Sequence, residues 1–169
     1  SRHCTGSMKK EIEKQFIRLG RRREIQFQND QIALRPREYD SHVVSLDGCC
    51  SMVYDLVDRE TGRVAGELAL RLGEGPALFY LGHVGYHVDP PYQGRHYALQ
   101  ACRLALPIFS EFGLFSFVIT TDDDNLPSIR TCEKLGCRLE STVDVPCWCR
   151  SEFGLSERKR RYVFGPFSS

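Results

Sequence analysis

The stretch from Arg63 to Leu72, "RVAGELALRL", sets Val64, Gly66, Leu68, Leu70 and Leu72 on alternate positions, with Glu67 and Arg71 between them. A period of two with charge on the off-beats marks a strand with one buried face and one wetted face. Such a strand cannot stand alone, because its backbone needs partners and its apolar face needs a second layer. Neighbours are close in sequence. "SMVYDLVD" (51–58) reads as a second strand, and "RETG" reads as the turn that joins the two into a hairpin. "QIALRP" reads as a further strand stopped by Pro36. "LFYLGHVGYHVD" (78–89) reads as one long β-rich stretch, in which Gly82 and Gly85 point to a bulge or to the close approach of another molecule's backbone.

Beyond residue 90 the period changes. Ala98, Ala101, Cys102, Ala105, Ile108, Phe109 and Phe112 recur at steps of three and four, one apolar helix stripe, with Pro107 expected to kink or break its last turn. "LFSFVITT" (114–121) is a continuous apolar strand. Asp124 or Asn125 can cap a second helix with Pro127 in its first turn, Leu126, Ile129, Cys132 and Leu135 on its inner stripe and Gly136 at its end. "CRLESTVDV" (137–145) alternates again, and "RYVFG" (161–165) reads as a last edge strand. The expected class is α/β (α+β), a mixed, mostly antiparallel sheet with flanking helices.

The chain's 169 residues suit one domain with a single core. Residues 1–8 are expected to be tag sequence, since Gly6-Ser7-Met8 resembles a cloning junction. Residues 9–30 are expected to form a peripheral arm, with a short helix broken at Gly20, and residues 31–169 the domain. With 23 Lys and Arg against 22 Asp and Glu the charge is +1, so no global field recruits nucleic acid or an anionic membrane. Arg21-Arg22-Arg23 reads as a solvated face. No apolar run is long enough to span a bilayer, and a cytoplasmic monomer or homodimer is expected. Cys49, Cys50, Cys147 and Cys149 could supply four thiolates to zinc, but one pair is adjacent and the other is C-x-C, so reduced thiols used as small apolar residues are the better reading. No metal is expected.

The junction "VDPPYQGRHYALQAC" carries the most chemistry. The first N–H groups of a helix have no intrahelical acceptor, and the macrodipole adds partial positive charge, so a strand-loop-helix turn with Gly94 and Arg95 can cradle a phosphate. Neither G-x-x-x-x-G-K-[ST] nor G-x-G-x-x-G is present. Together with "NLPSIRTCEKLGC", however, the junction resembles the GNAT N-acetyltransferase superfamily. A strand ending in V-x-P leads into Q/R-x-x-G-x-G/A, matched by Gln93, Arg95, Tyr97 and Ala98. N-x-x-S/A and E-K-L-G follow, matched by Asn125, Ser128, Glu133, Lys134, Leu135 and Gly136. The resemblance covers about residues 31–145. It implies a sheet splayed between its two central strands, with acetyl-CoA as cosubstrate. The amides of Gln93, Gly94, Arg95, His96, Tyr97 and Ala98 would hold its pyrophosphate, Tyr86, His87 and Val88 its pantetheine arm, and Asn125 and Ser128 would complete the site.

The chain departs from the family pattern at four places. His96 replaces the loop's central glycine, where simple accommodation is the favoured reading over a phosphate contact. A carboxylate that many members carry five residues before the Asn is Thr120, and a second family position for it is Gly82. The family's usual tyrosine acid, seven residues after the Asn, is Cys132. Local chemistry offers His83 as a base, with His87 and Glu67 as further candidates, and Cys132 as a thiol acid, although its place on the apolar stripe favours packing. Asp122-Asp123-Asp124 could attract a cationic amine, but a loop and helix cap is the safer reading. The implied function is acetyl transfer to a primary amine, on a small molecule or a protein N-terminus, by direct attack in a ternary complex. The N-x-x-S form is nearest the ribosomal-protein branch. The alternative is a non-catalytic CoA-binding sensor or interaction module.

Overall fold

The structure, a computed structural model, describes residues 6–22, 26–41, 50–73 and 75–166. Strands β1 (Ile32–Asp40), β2 (Cys50–Asp58), β3 (Val64–Leu72) and β4 (Val84–Val88) form an antiparallel sheet in that order. Strands β5 (Phe117–Asp122), β6 (Arg138–Asp144) and β7 (Arg158–Phe164) form a second antiparallel sheet in the order β5-β7-β6. Helices α1 (Gly6–Leu19), α2 (Pro76–Leu81), α3 (Tyr97–Glu111), α4 (Leu126–Leu135) and α5 (Cys147–Phe153) complete the element order.

Alternation decides which face each strand buries. Leu68 and Leu70 of β3 and Met52, Tyr54 and Leu56 of β2 face one layer, where Ala101, Cys102, Ala105, Ile108 and Phe109 of α3 meet them. At roughly 1.5–3 kcal/mol for each fully buried large aliphatic or aromatic side chain, this layer dominates the fold's stability. The α3 helix continues through Pro107 to Glu111 rather than breaking there. Helix α1 is part of the same body: Phe16 and Leu19 lie in the core, with Phe16 edge-on to Tyr54 at 5.6 Å, so this segment is no detached arm.

Three sequence expectations are corrected. Strand β1 does not stop at Pro36 but runs to Asp40, with its register shifting between Pro36 and Glu38. It is an edge strand, where proline and a bulge are tolerated. The expected strand from residue 78 begins instead as α2: Pro76 starts the helix, Gly75 and Gly82 flank it, and Ala77 and Leu78 turn inward while Phe79 faces out. A short apolar run looks alike in either state. Strand β7 is no edge but the middle of its sheet, its basic run neutralised by pairs from Lys159 to Asp122 (2.8 Å), Arg160 to Asp123 (2.7 Å) and Arg161 to Glu140 (3.0 Å). Asp122 and Asp123 of the acidic run are thus committed to ion pairs, and Asn125 is the helix cap. Helix α5 went unread in the sequence.

The two sheets are joined at the start of β4. Gly82 bridges to Ile119, His83 N–H donates to the Val118 carbonyl at 2.8 Å, and beyond this point β4 and β5 part. Gly82 has φ 78°, and a Cβ there would sit 2.7 Å from the Val118 carbonyl. The glycine is needed for the chain's own β5, not for another molecule's backbone. Gly85 likewise lies under the guanidinium of Arg71, which a Cβ would meet at 2.7 Å. Substituting Gly82→Ala is expected to cost at least about 2 kcal/mol, from backbone strain plus collision. Gly62→Ala, also at positive φ but in open space, should cost only about 1 kcal/mol. Urea unfolding of both variants measures the difference, and equal losses would remove the β5 contact as its cause.

Candidate active site

Antiparallel pairing alternates the direction of main-chain groups, and two bonds set the phase in β4. Asp89 N–H donates to the Ala65 carbonyl (2.8 Å) and Arg71 N–H to the His83 carbonyl (2.7 Å), so residues 83, 85, 87 and 89 bond toward β3. The main-chain groups of Val84, Tyr86 and Val88 therefore face away from β3, into the opening. One of them already has a partner: the Val88 carbonyl accepts from Gln93 Nε2 at 3.0 Å.

The opening holds two grooves that meet. One, of about 600 Å³, runs past Tyr86–Val88, the loop at Gln93, Gly94 and His96, and the start of α3, with α4 as its far wall. The other, of about 290 Å³, lies between β4 and β5 and is lined by Glu67, Arg71, Thr120, Asp122 and Lys159. Tyr86, His87, Asn125 and Ser128 line both.

The loop's conformation explains its sequence. Gly94 has φ 83° and His96 has φ 59° and ψ 28°, the one non-glycine residue at positive φ among the described residues. His96 thus fills a left-handed position that costs about 1–2 kcal/mol for a residue with a Cβ. It is the residue preceding α3, and no side chain caps the helix there. At α4 the opposite holds: Asn125 Oδ1 accepts the Ser128 N–H at 3.2 Å. The first-turn amides of α3 are therefore the ones open to an anion, beside a groove large enough for a cofactor.

Tyr97, the first residue of α3, holds that end in place. Its hydroxyl donates to buried Asp58 Oδ1 at 2.5 Å, and Asp58 Oδ2 takes Thr61 N–H (2.9 Å) and Thr61 Oγ1 (2.7 Å). The bonds from Tyr97 and Thr61 keep the Asp58 carboxyl below the usual carboxylate range. The Arg95 guanidinium sits on this reverse side of the loop, 5.6 Å from the Tyr92 ring centre and 6.0 Å from that of Tyr97. It lines a separate bowl with Asp30 and Glu60, so Arg95 offers the groove its backbone rather than its charge. The cations along the groove are Arg130 and Lys134, which share one face of α4 with Pro127 and Thr131. The sequence reading did not assign them to the site; the spacing of 127, 130, 131 and 134 is the signal that could have found them.

The expected catalytic pair is placed elsewhere. Val118 N–H donates to His83 Nδ1 at 3.0 Å, so that nitrogen carries no proton, and His83 lines neither groove. Burial, then the charges of Arg161 and Arg71, pull its pKa below the ordinary histidine value. Cys132 is fully buried on the inner face of α4, and its neighbour Cys137 together with burial pushes its thiol far up. His87, by contrast, is exposed, lines both grooves and meets Asp89 Oδ1 at 3.2 Å. Glu67 faces His87 across the β3–β4 ladder and is held by Arg37 at 2.8 Å. Thr120 donates to the Tyr80 carbonyl at 2.9 Å. Of the cysteines considered for zinc, Cys50 begins β2, Cys147 and Cys149 lie on α5, and Cys49 lies outside the described residues. Among the described residues no group of three or more His, Cys, Asp and Glu side chains could hold a metal ion, and no helix is long and apolar enough to cross a membrane.

Because the folded state holds His83 neutral, the unfolded chain binds more protons below about pH 6.5, and stability should fall as pH drops through that value. The slope attributable to His83 is at most one proton, about 1.4 kcal/mol per pH unit. His83→Asn, whose amide oxygen can take the place of Nδ1 without titrating, should flatten this limb in urea unfolding between pH 5 and 7. An unchanged slope would assign the acid sensitivity to other groups. At the cradle, His96→Gly should stabilise the fold by about 1 kcal/mol through relief of left-handed strain, read as a rise in Tm. A lower Tm would mean that the imidazole makes a compensating contact.

The comparisons with known proteins agree with this geometry. No curated protein matches the chain. Among solved structures, it is similar to a GNAT-family acetyltransferase from Bacillus anthracis at 20% identity and TM-score 0.52, covering 66% of this chain and 64% of that one. It is similar to the ribosomal-protein-S5-alanine acetyltransferase of Vibrio fischeri at 20% identity and TM-score 0.52, covering 67% and 60%. A third is the Microcin C7 self immunity acetyltransferase MccE in complex with acetyl-CoA and AMP, at 19% identity and TM-score 0.52, covering 69% and 61%. The match spans about three-fifths of the length of these proteins, and identities this low show the fold alone. The family model described as the acetyltransferase (GNAT) domain matches residues 27–138. With two thirds of its length matched and its strands splayed over an uncapped helix start, the chain belongs to the GNAT acetyltransferase family.

Proposed function

We propose that the protein is an acetyl-CoA-dependent N-acetyltransferase that moves an acetyl group to a primary amine by direct attack within a ternary complex. The observation that carries this reading is the pairing of an uncapped α3 start, at the left-handed His96, with a groove that continues into a second one between β4 and β5. The residues suit the cosubstrate. First-turn amides of α3 would take its phosphates, with Arg130 and Lys134 on the facing wall, and the main-chain groups of Tyr86 and the Val88 N–H would pair with the amide-bearing arm. The bound thioester supplies an activated acetyl carbon. The chain's contribution is to orient an amine against it in the second groove, and such orientation can supply several kcal/mol of the barrier reduction.

The carboxylates of the second groove are committed in pairs, Glu67 with Arg37 and Asp122 with Lys159, and Arg71 donates to the carbonyls of Leu81 and Gly82. A groove of that kind gives an ammonium little to replace its water, which favours the neutral amine that can attack. An α-amino group, titrating near 7.7–8.0, reaches that form far more readily than a lysine side chain near 10.4. The acceptor is accordingly an N-terminal or small-molecule amine of low pKa, with His87 at the rim able to take its proton through water. The reading carries with it a cytoplasmic monomer or homodimer that binds neither nucleic acid nor membrane.

The test is release of free CoA thiol from acetyl-CoA with a panel of N-terminal peptides, amino acids, aminoglycosides and polyamines. Amine-dependent release, strongest for α-amines, is the expected result. Tight CoA binding with no release across the panel would leave a non-catalytic CoA-binding module. In the same preparation, His96→Gly should keep CoA affinity within about threefold, because the backbone carries the contact. A loss of tenfold or more, about 1.4 kcal/mol, would make the imidazole a phosphate ligand.

A further inference from the structure

Glu67, Ala69 and Arg71 of β3 share a face with Gly85 and His87 of β4, and all five line the smaller groove. The middle positions of this set, Ala69 and Gly85, are small, and the Arg71 guanidinium lies in the space they leave. Its Nη1 donates to the carbonyls of Leu81 (3.3 Å) and Gly82 (3.2 Å) at the end of α2. Its Nη2 lies over Gly85, where a Cβ would meet it at 2.7 Å. A guanidinium carries five N–H groups in a fixed fork, and the two on Nη1 are the ones used here. Nη2 and Nε, which together form the fork's other edge, meet no acceptor among the described residues. Neither is sealed in the core, so both are open to the groove.

The charges around the groove leave this cation unmatched. Arg35 and Arg37 are paired with Asp55 and Glu67, and Lys159 with Asp122, while Arg71 makes no ion pair among the described residues. Burial lowers its pKa and the field of Glu67 opposes this, yet arginine stays charged at neutral pH. A half-buried cation without a counterion is costly, and an edge of two parallel N–H groups fits the two oxygens of a carboxylate. Gly85 is two residues from His87, about 7 Å along the strand. A carboxylate on this edge would therefore lie a few bonds from an amine placed where the grooves meet. The same positive charge disfavours an ammonium beside it, in keeping with a neutral attacking amine.

Resting on the acetyl-transfer reading above, we propose that Arg71 anchors a carboxylate on the acceptor, so that the substrate class is an acidic amine: an amino acid held by its α-carboxylate, or a peptide held by an acidic side chain near its N-terminus. The helix tie through Nη1 and the anchor through Nε and Nη2 use different edges of one group.

Product-like ligands test this without turnover. Calorimetry on the CoA-saturated protein compares N-acetylalanine with its amide, and an N-acetylaspartyl peptide amide with its asparaginyl counterpart. In one pair at least, the wild type should bind the acid about tenfold or more tightly than the amide. The pair that shows the preference identifies the source of the carboxylate. Arg71→Gln, whose amide can still donate to the α2 carbonyls, and Gly85→Ala, whose Cβ pushes the guanidinium aside, should bring the preference below about threefold. Both should keep CoA affinity within about twofold, which shows that they fold. Equal binding or none in both pairs overturns the anchor, as does a preference that survives in Arg71→Gln. Should that variant lose CoA binding, an undiminished preference in Gly85→Ala overturns it instead. Acid preference without thiol release from any acidic amine would sink the acetyl-transfer reading and leave the carboxylate site. Equal turnover of acidic and amidated amines would sink the anchor and leave the transfer.

Discussion

Val118 spends both of its backbone groups on one residue: its N–H donates to His83 Nδ1 and its carbonyl accepts the His83 N–H. This pair of bonds is the last tie between the two sheets before they separate. A side chain is used where a sheet would use the next main chain, so the ladder ends without leaving a buried amide unpaired. Past it, β4 keeps β3 on one side and has no strand on the other, which turns its outward main-chain groups toward the grooves. A histidine in this place must be neutral to serve, and the nearby Arg161 and Arg71 help to keep it so. The residue that the sequence offers as a base is instead the pin of the splay.

The cradle depends on a second anchored point. Left-handed strain at His96 persists because the residue that follows it cannot move: Tyr97 is bound to Asp58, and Asp58 is fixed by the β2–β3 turn through Thr61. Strain of about 1–2 kcal/mol is small beside the core that α3 buries. The loop can therefore present amides without a capping side chain, while α4, which faces it, is capped by its own Asn125 and contributes side chains instead.

Legibility of the fold followed the range of the interactions. The β3 alternation, the α3 and α4 stripes and the cap at Asn125 are local, and each was readable from neighbours within a few residues. The left-handed position was visible as a mismatch at His96, though only the structure shows that the histidine adopts it. What stayed hidden joins distant segments. The Tyr86–Ser128 contact spans 42 residues and the Tyr97–Asp58 bond 39, and no periodicity connects them. The run "PALFYL" could not be told from a strand because six residues hold fewer than two turns. The charged stretch at 158–161 hid a central strand because its partners, Asp122, Asp123 and Glu140, lie on other elements.

The period of two also divides the labour within β4. Val84, Tyr86 and Val88 turn their side chains to the helical layer, and there Tyr86 meets α4. Gly85 and His87 turn to the other face, under Arg71 and opposite Glu67. Along the strand, Val84 and Gly85 line only the smaller groove, Val88 only the larger, and Tyr86 and His87 both. Changes at 67 and 85 can reshape the smaller groove without touching the larger one. Changes at 86 cannot, since that side chain holds β4 to α4 at the point where the two grooves become one.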